Sequence, residues 1–343
     1  MRAIYTTKLS DIAFLLLFAS EFTFYLLILQ TGIVEYHHSD ISQIWMVPLG
    51  GILGIVASIF VHKEREWLIP ILLLIQLLLS FHYATAYAIE LFLLGLISGL
   101  TAPMLIARID KFWIAIIALA LSYSYGSYYF DTPAPNRTQI ALFLSLVAFV
   151  SSLFAQMQNL KNSRLHPTIY SVGSIFLWLL LDAALFETLS RDSVMHLWGE
   201  SRFTWNIILS HIIGLIVAYK AILWRYNNSV LLLLFALTYT LYSLGLQVAL
   251  SFIYPFVISY YNVIILKELS RLPYSFLAVM ALSLWGASGL GLLVALGENF
   301  MVAWVVLLLL AMIEVIKMRN IALYRGAEEL FFAYTTLLSR RRK

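Results

Sequence analysis

The sequence predicts an all-α polytopic membrane protein of twelve transmembrane helices. They form two parallel six-helix repeats with the N- and C-termini inside, and an amphipathic helix follows the last span. Three observations predict it. Hydrophobic residues make up 62% of the 343 residues and charged residues only 12%, and the mean hydropathy of +0.89 lies far above that of a soluble globular chain. Apolar runs of the roughly 20 residues that a helix needs to cross the hydrocarbon core recur along the whole chain, separated by short polar breaks. The basic residues fall on alternate breaks, so that one side of the membrane collects nearly all of them.

In chain order the runs cover 10–33, 42–61, 67–86, 88–107, 112–130, 138–157, 168–190, 203–223, 229–248, 250–266, 273–296 and 299–317. The first follows Arg2 and Lys8 and continues without a small-residue cleavage site, which predicts a retained span and not a cleaved signal peptide. The breaks at 84–90 and near 249 are the shortest. An even number of spans returns the C-terminus to the side of the N-terminus. With that side cytoplasmic, 19 of the 22 Lys and Arg lie on inner segments and only Arg137, Arg191 and Arg202 on outer ones. A multi-pass protein of the plasma (inner) membrane is expected. After the last span, "IALYRGAEELFFAYTTLLSRRRK" (321–343) repeats Leu323, Leu330, Phe331, Tyr334, Leu337 and Leu338 at helical spacing and ends in four basic residues. Such a helix lies on an anionic leaflet. The chain has no cysteine, which excludes disulfides, thiolate metal sites and cysteine catalysis. It has no phosphate-binding loop, which excludes ATP-driven transport by this chain alone.

Shifted by 160 or 161 residues, the chain superimposes span one on seven and so on to six on twelve. "GILGIVASIFVHKEREWLIPILLL" (51–74) then lies over "HIIGLIVAYKAILWRYNNSVLLLL" (211–234), with Gly54 on Gly214 and Arg65 on Arg225. Six being even, the halves share one orientation, which makes a parallel repeat. The expected units are 1–157, a linker at 158–167, 168–317 and a tail at 318–343. Six plus six spans, a basic link "QNLKNSRLHP" (158–167), and the loops "VHKEREW" (61–67) and "WRYNNS" (224–229) at equivalent places resemble the major facilitator superfamily. Lys63 and Arg65 keep the basic character of that family's cytoplasmic signature, but its aspartate is missing and Trp67 stands near where small or basic residues are usual. The resemblance is to an atypical member with a degenerate loop motif. It implies a central cavity lined by spans one, four, seven and ten.

Against that frame of apolar spans a few polar side chains stand out. "LFASEFTFYL" (17–26) carries Glu21 at mid-membrane, where an acidic residue costs about 2.5–3.5 kcal/mol. The repeat register sets it opposite Asp182 in "FLWLLLDAALFET" (176–188), and the resemblance places both acids on the wall of one chamber, as proton-coupling or cation-binding groups. The alternative is a hydrogen-bonded fixture between helices. His211 is the only histidine inside a span and suits proton transfer or, alternatively, helix packing. Glu90 and Glu187 lie nearer the outer interface, where solvated or gate-pairing roles are expected ahead of substrate contact. Tyr125 and Tyr129 share a helical face in "SYSYGSYYF" (122–130), and "YPFVISYYN" (254–262) adds Tyr261 and Asn262. With the acids, these aromatics predict a cationic or amphipathic substrate; alone, they would be an interfacial aromatic belt.

Glycines 50, 51 and 54 on span two and 286, 289 and 291 on span eleven are expected either where the two halves meet and slide, because the resemblance brings those spans together, or in ordinary tight helix packing. Glu314 is expected to face lipid and pair with Lys317. The histidines of "YHHSD" (36–40), His82 and His196 form no ligand pattern, so no metal is expected. The loop 188–202 sets Asp192, His196 and Glu200 at four-residue spacing, which would share a face in a helix, but solvated charges are the plainer expectation.

The leading expectation is therefore a proton-coupled secondary active transporter that works by alternating access. Its partners would be a small-molecule substrate, protons and membrane lipids, with no nucleic acid, no cofactor and no enzymatic activity. Two other classes fit the same chain. One is a lipid or lipid-linked flippase, which would use the architecture with a greasier, laterally open cavity. The other is a membrane enzyme or a non-transporting assembly factor, which would need polar groups gathered at one interface.

Overall fold

A computed structural model describes residues 2–30, 45–61, 67–156, 169–191, 195–198, 201–224, 226–298 and 301–319. These contain no strand and twelve long helices: α1 (Arg2–Phe24), α2 (Met46–Phe60), α3 (Leu68–Ser80), α4 (Ala88–Ile106), α5 (Phe112–Tyr128), α6 (Ala134–Phe154), α7 (Ile169–Arg191), α8 (Thr204–Ala221), α9 (Asn227–Ser243), α10 (Gln247–Leu269), α11 (Tyr274–Leu296) and α12 (Met301–Arg319). Eight are long and apolar enough to cross a membrane. Of the rest, α2, α3 and α5 are shorter apolar helices; α3, at 13 residues, covers about 20 Å of a hydrocarbon core about 30 Å thick. Large apolar side chains such as Phe60, Leu223 and Leu308 stand outward, the surface expected against lipid.

Local chemistry sets the helix ends. Pro133 and Pro273 precede the first turns of α6 and α11, where a missing N–H costs nothing. The connection between α9 and α10 falls at 244–246 and not near 249, because Gly245 takes φ +68°, a left-handed conformation that ends α9. α3 stops at Ser80 and not at 86: the chain turns through a short 3₁₀ segment, Tyr83–Thr85, whose Tyr83 hydroxyl donates to the Ile28 carbonyl (2.8 Å). That carbonyl belongs to a π-helical continuation of α1, Tyr25–Gln30. A wider turn leaves carbonyls out of line with the usual amide partners. A second one, Leu27, is taken by Arg137 (2.9 Å). Arg137, counted from the sequence as an outer charge, is 1% exposed and also donates to the Phe130 (2.8 Å) and Thr132 (3.1 Å) carbonyls.

The helices pair in a pattern that recurs at the repeat distance. α1 packs on α5 as α7 packs on α11, and α2 packs on α4 as α8 packs on α10. At the second of these pairs, a Cβ on Gly54 would lie 2.2 Å from the Leu96 carbonyl oxygen, and one on Gly214 would lie 2.6 Å from that of Phe256. Both residues of one contact are 160 positions from those of the other. Backbones approach this closely only where a side chain is absent. α2 meets α11 and α5 meets α8, and the repeat exchanges these two contacts.

The small residues are placed differently from the first of their two expectations. Gly51 meets α11, at the Trp285 ring, but Gly50 and Gly54 face α4, Gly291 faces α7, and Gly286 and Gly289 have open space. They serve close packing of neighbouring helices more than a sliding seam. Glu314 is also placed differently: it is 8% exposed and turned to α9, where Ser229 donates to it (2.9 Å), while Lys317 stands 3.7 Å away as expected. The loop 62–66, the linker 158–167, the histidines at 37 and 38, Asp192, Glu200 and the tail helix 321–343 lie outside the described residues.

Candidate functional site

A cavity of about 310 Å³ lies along the centre of the bundle. Its walls come from α1, α4, α5, α7, α8, α10 and α11, together with Trp198. The end that bears the N-terminus of α1 is here the near end. There Lys111 at the head of α5 pairs with Asp11 of α1 (2.5 Å). The far end is where α1 finishes and α6 begins.

Five of the eight sequence-predicted residues open on this cavity: Glu21, Asp182, His211, Tyr261 and Asn262. Glu21 and Asp182, equivalent in the repeat, are held in different ways. Asp182 accepts a hydrogen bond on each carboxylate oxygen, from the Tyr254 hydroxyl (2.9 Å) and from that of Tyr261. The Tyr254 proton is shared with the Asp182 carbonyl (2.9 Å). In the first repeat the positions 160 residues before these tyrosines are Leu94 and Thr101, which offer no phenol. Glu21 is instead approached from α3, where Gln76 Nε2 donates to Oε1 (2.7 Å). Glu21 Oε2 makes no hydrogen bond among the described residues. So one acid is clamped on both oxygens, and the other keeps an oxygen open.

His211 is 2% exposed; its Nδ1 is 2.8 Å from Ser259 Oγ, and its ring stacks on Tyr123 (centroids 4.4 Å, planes 5° apart). The Tyr123 hydroxyl is buried with no hydrogen-bond partner. An unpartnered phenol on a cavity wall is costly to desolvate and ready to bond a guest. Tyr25 and Trp285 meet edge to face across α1 and α11 (6.2 Å) and line the same space. Among the described residues no Lys or Arg lines the cavity.

Three predicted residues lie elsewhere. Glu90 is in the first turn of α4, where its carboxylate accepts the Tyr87 N–H (2.7 Å), an N-terminal cap. Tyr125 packs against Tyr129 and against Phe143 of α6. Tyr129 lines a separate hollow at the far end. Glu187 does not line the cavity either. The sequence reading missed Tyr123, Tyr254 and Gln76. For Tyr123 the signal is the face it shares with Leu119, Gly126, Ser127 and Phe130, where small residues leave room. For Gln76 it is the isolation of one amide within "LIPILLLIQLLLS" (68–80), since a buried amide demands a polar partner. His82 and His196 join no group of potential metal ligands among the described residues.

No protein-family model matches the chain, and no curated protein matches its sequence. Solved structures match the fold. The human organic anion transporter MFSD10 (TETRAN) superimposes with a TM-score of 0.59 at 13% identity, over 90% of this chain and 99% of that one. FucP, a major facilitator superfamily transporter captured in the outward conformation, gives 0.46 at 12% identity, over 90% of this chain and 96% of that one. The chain therefore shares the fold of the human transporter MFSD10.

Proposed function

We propose that the chain is a secondary active transporter that moves a small cationic or amphipathic solute across the plasma membrane, coupled to protons, by alternating access. In this reading all twelve helices cross the membrane, both termini are cytoplasmic, and the near end is the inner side. The units 1–157 and 168–317 rock about the contacts of α2 with α11 and α5 with α8. The observation that carries the reading is that Glu21, Asp182 and His211 open on one central cavity in this fold. Carboxylates facing aromatic walls without a counter-cation favour a cationic guest. For that reason the anionic substrates named for the human neighbour are not carried over to this chain. A proton on a buried carboxyl removes the cost of its charge, so solute and proton can exchange there and drive one another.

The test is thermal unfolding of the purified protein with tetraethylammonium, an organic anion such as benzoate, and phospholipid, at two pH values, for the wild type and for Glu21→Gln and Asp182→Asn. A guest at a hundredfold over its Kd adds about 2.7 kcal/mol to the folded state. The expected result is a pH-dependent stabilisation by tetraethylammonium that is lost in Glu21→Gln. Stabilisation by lipid alone, indifferent to both acids, would replace this reading with the flippase.

A further inference from the structure

The far-end hollow has a volume of about 530 Å³. It lies between the start of α6 and the start of α8, and its wall carries Asp131, the amides of Asn136 and Gln139, and the rings of Tyr128 and Tyr129. Among the described residues Asp131 is its one charged lining residue. Arg137, one position beyond Asn136, points away into its three carbonyls and does not line it. The hollow thus repeats the chemistry of the central cavity, a carboxylate beside aromatic faces without a lining cation among the described residues.

Two residues, Ser127 and Trp198, belong to both spaces. Trp198 is 6% exposed, and its indole sits among Phe186 (5.0 Å), Tyr254 (5.8 Å) and Phe130 (5.9 Å). Tyr254 is one of the two tyrosines that hold Asp182. Trp198 is the larger of the two side chains shared by the spaces, and its brace runs directly to the clamped acid of the cavity.

We propose that the hollow is a second binding site, an outer vestibule for the same organic cation that the central cavity takes. Trp198 is the partition between them, and the Tyr254–Asp182 hydrogen bond holds it shut. This rests on the transporter reading for the identity of the solute, and on geometry alone for the partition. A solute arriving at Asp131 meets the indole, and release of Tyr254 from Asp182 frees that indole to swing.

The chain has no cysteine, so single cysteines report each space without background. Gln139→Cys reports the hollow. Gly126→Cys reports the cavity, where a Cβ meets nothing within 4 Å. Each is reacted in proteoliposomes with a membrane-impermeant thiol reagent from the far side. Gln139→Cys should react readily, tetraethylammonium should slow it, and Asp131→Asn should abolish that protection. Gly126→Cys should react slowly, and Trp198→Ala should raise its rate by about tenfold or more, the scale of losing one local closing contact. Tyr254→Phe, a milder change that keeps the ring, should raise it by several-fold, about the population shift of one hydrogen bond. An unprotected Gln139→Cys would overturn the second site, and an unmoved Gly126→Cys rate in both variants would overturn the partition. Tetraethylammonium should also slow Gly126→Cys in the Trp198→Ala background, and protection of the hollow without protection there would instead sink the central-cavity reading.

Discussion

Glu21 and Asp182 are the same position of an internal repeat, yet the residues around them differ in a way that assigns different work. Asp182 is bound on both oxygens by phenols of α10, so it ties α7 to that helix. Removing one phenol leaves a buried carboxylate oxygen without a donor, a loss of roughly 1.5–3 kcal/mol for a hydrogen bond to a charged group. Tyr261→Phe should therefore lower the melting temperature clearly. In an Asp182→Asn background the same change should cost less, and a double-mutant cycle measures the difference. Zero coupling in that cycle would mean that the clamp holds nothing. Arg137 makes a second prediction at this scale. Its fork serves three carbonyls of two segments, so Arg137→Met should cost about 3 kcal/mol or more and Arg137→Lys, with one point charge, should recover only part. Equal melting temperatures for Arg137→Met and wild type would refute it. Nothing in the sequence marks this arginine as buried, since one carbonyl it satisfies, Leu27, is freed by a π-turn that no residue pattern announces and the other two, Phe130 and Thr132, lie in the connection from α5 to α6.

Between helices, the repeat is written in glycine and carbonyl more than in matching side chains. Gly54→Ala and Gly214→Ala each drive a methyl into a backbone oxygen that cannot swing aside, and overpacking of this kind costs about 1–3 kcal/mol. Gly286→Ala and Gly289→Ala meet open space within a helix, where alanine is favoured by roughly 0.5–1 kcal/mol. Thermal stability of the four variants should therefore split into two that fall and two that hold or rise. A uniform fall would instead favour the sliding seam expected from the sequence. The helices themselves were legible because lipid demands long apolar runs, and the register was legible because Gly54 and Gly214 stand 160 residues apart. The connections were less so. A 3₁₀ turn tied by Tyr83 and a left-handed Gly245 each moved a boundary by several residues, and both depend on partners or angles that periodicity does not carry.

At the scale of the whole molecule, the same logic divides the site. Acids and a histidine inside spans were legible because their cost demands a role, and all three open on the cavity. The tyrosines were not sorted, because belt and cavity use the same residue and only the tertiary face separates Tyr123 from Tyr125. Cross-repeat aromatic contacts exist at both ends: Phe112 stacks near Tyr219 at the near end (6.5 Å), with Lys267 5.7 Å over the Phe112 ring, and Phe130 meets Phe186 at the far end (6.2 Å). If the two halves rock, these contacts cannot both persist through a cycle, and one must open while the other closes. A short bis-methanethiosulfonate reagent joining Phe112→Cys to Tyr219→Cys through two disulfides, with loss of two methanesulfinates, should therefore stop tetraethylammonium uptake into proteoliposomes, and reducing the link should restore it. Binding to the linked protein, measured by thermal shift, should survive, because the cavity is left intact. Uptake that continues with the near end linked would rule out rocking about α5 and α8 and would require a motion confined to one half.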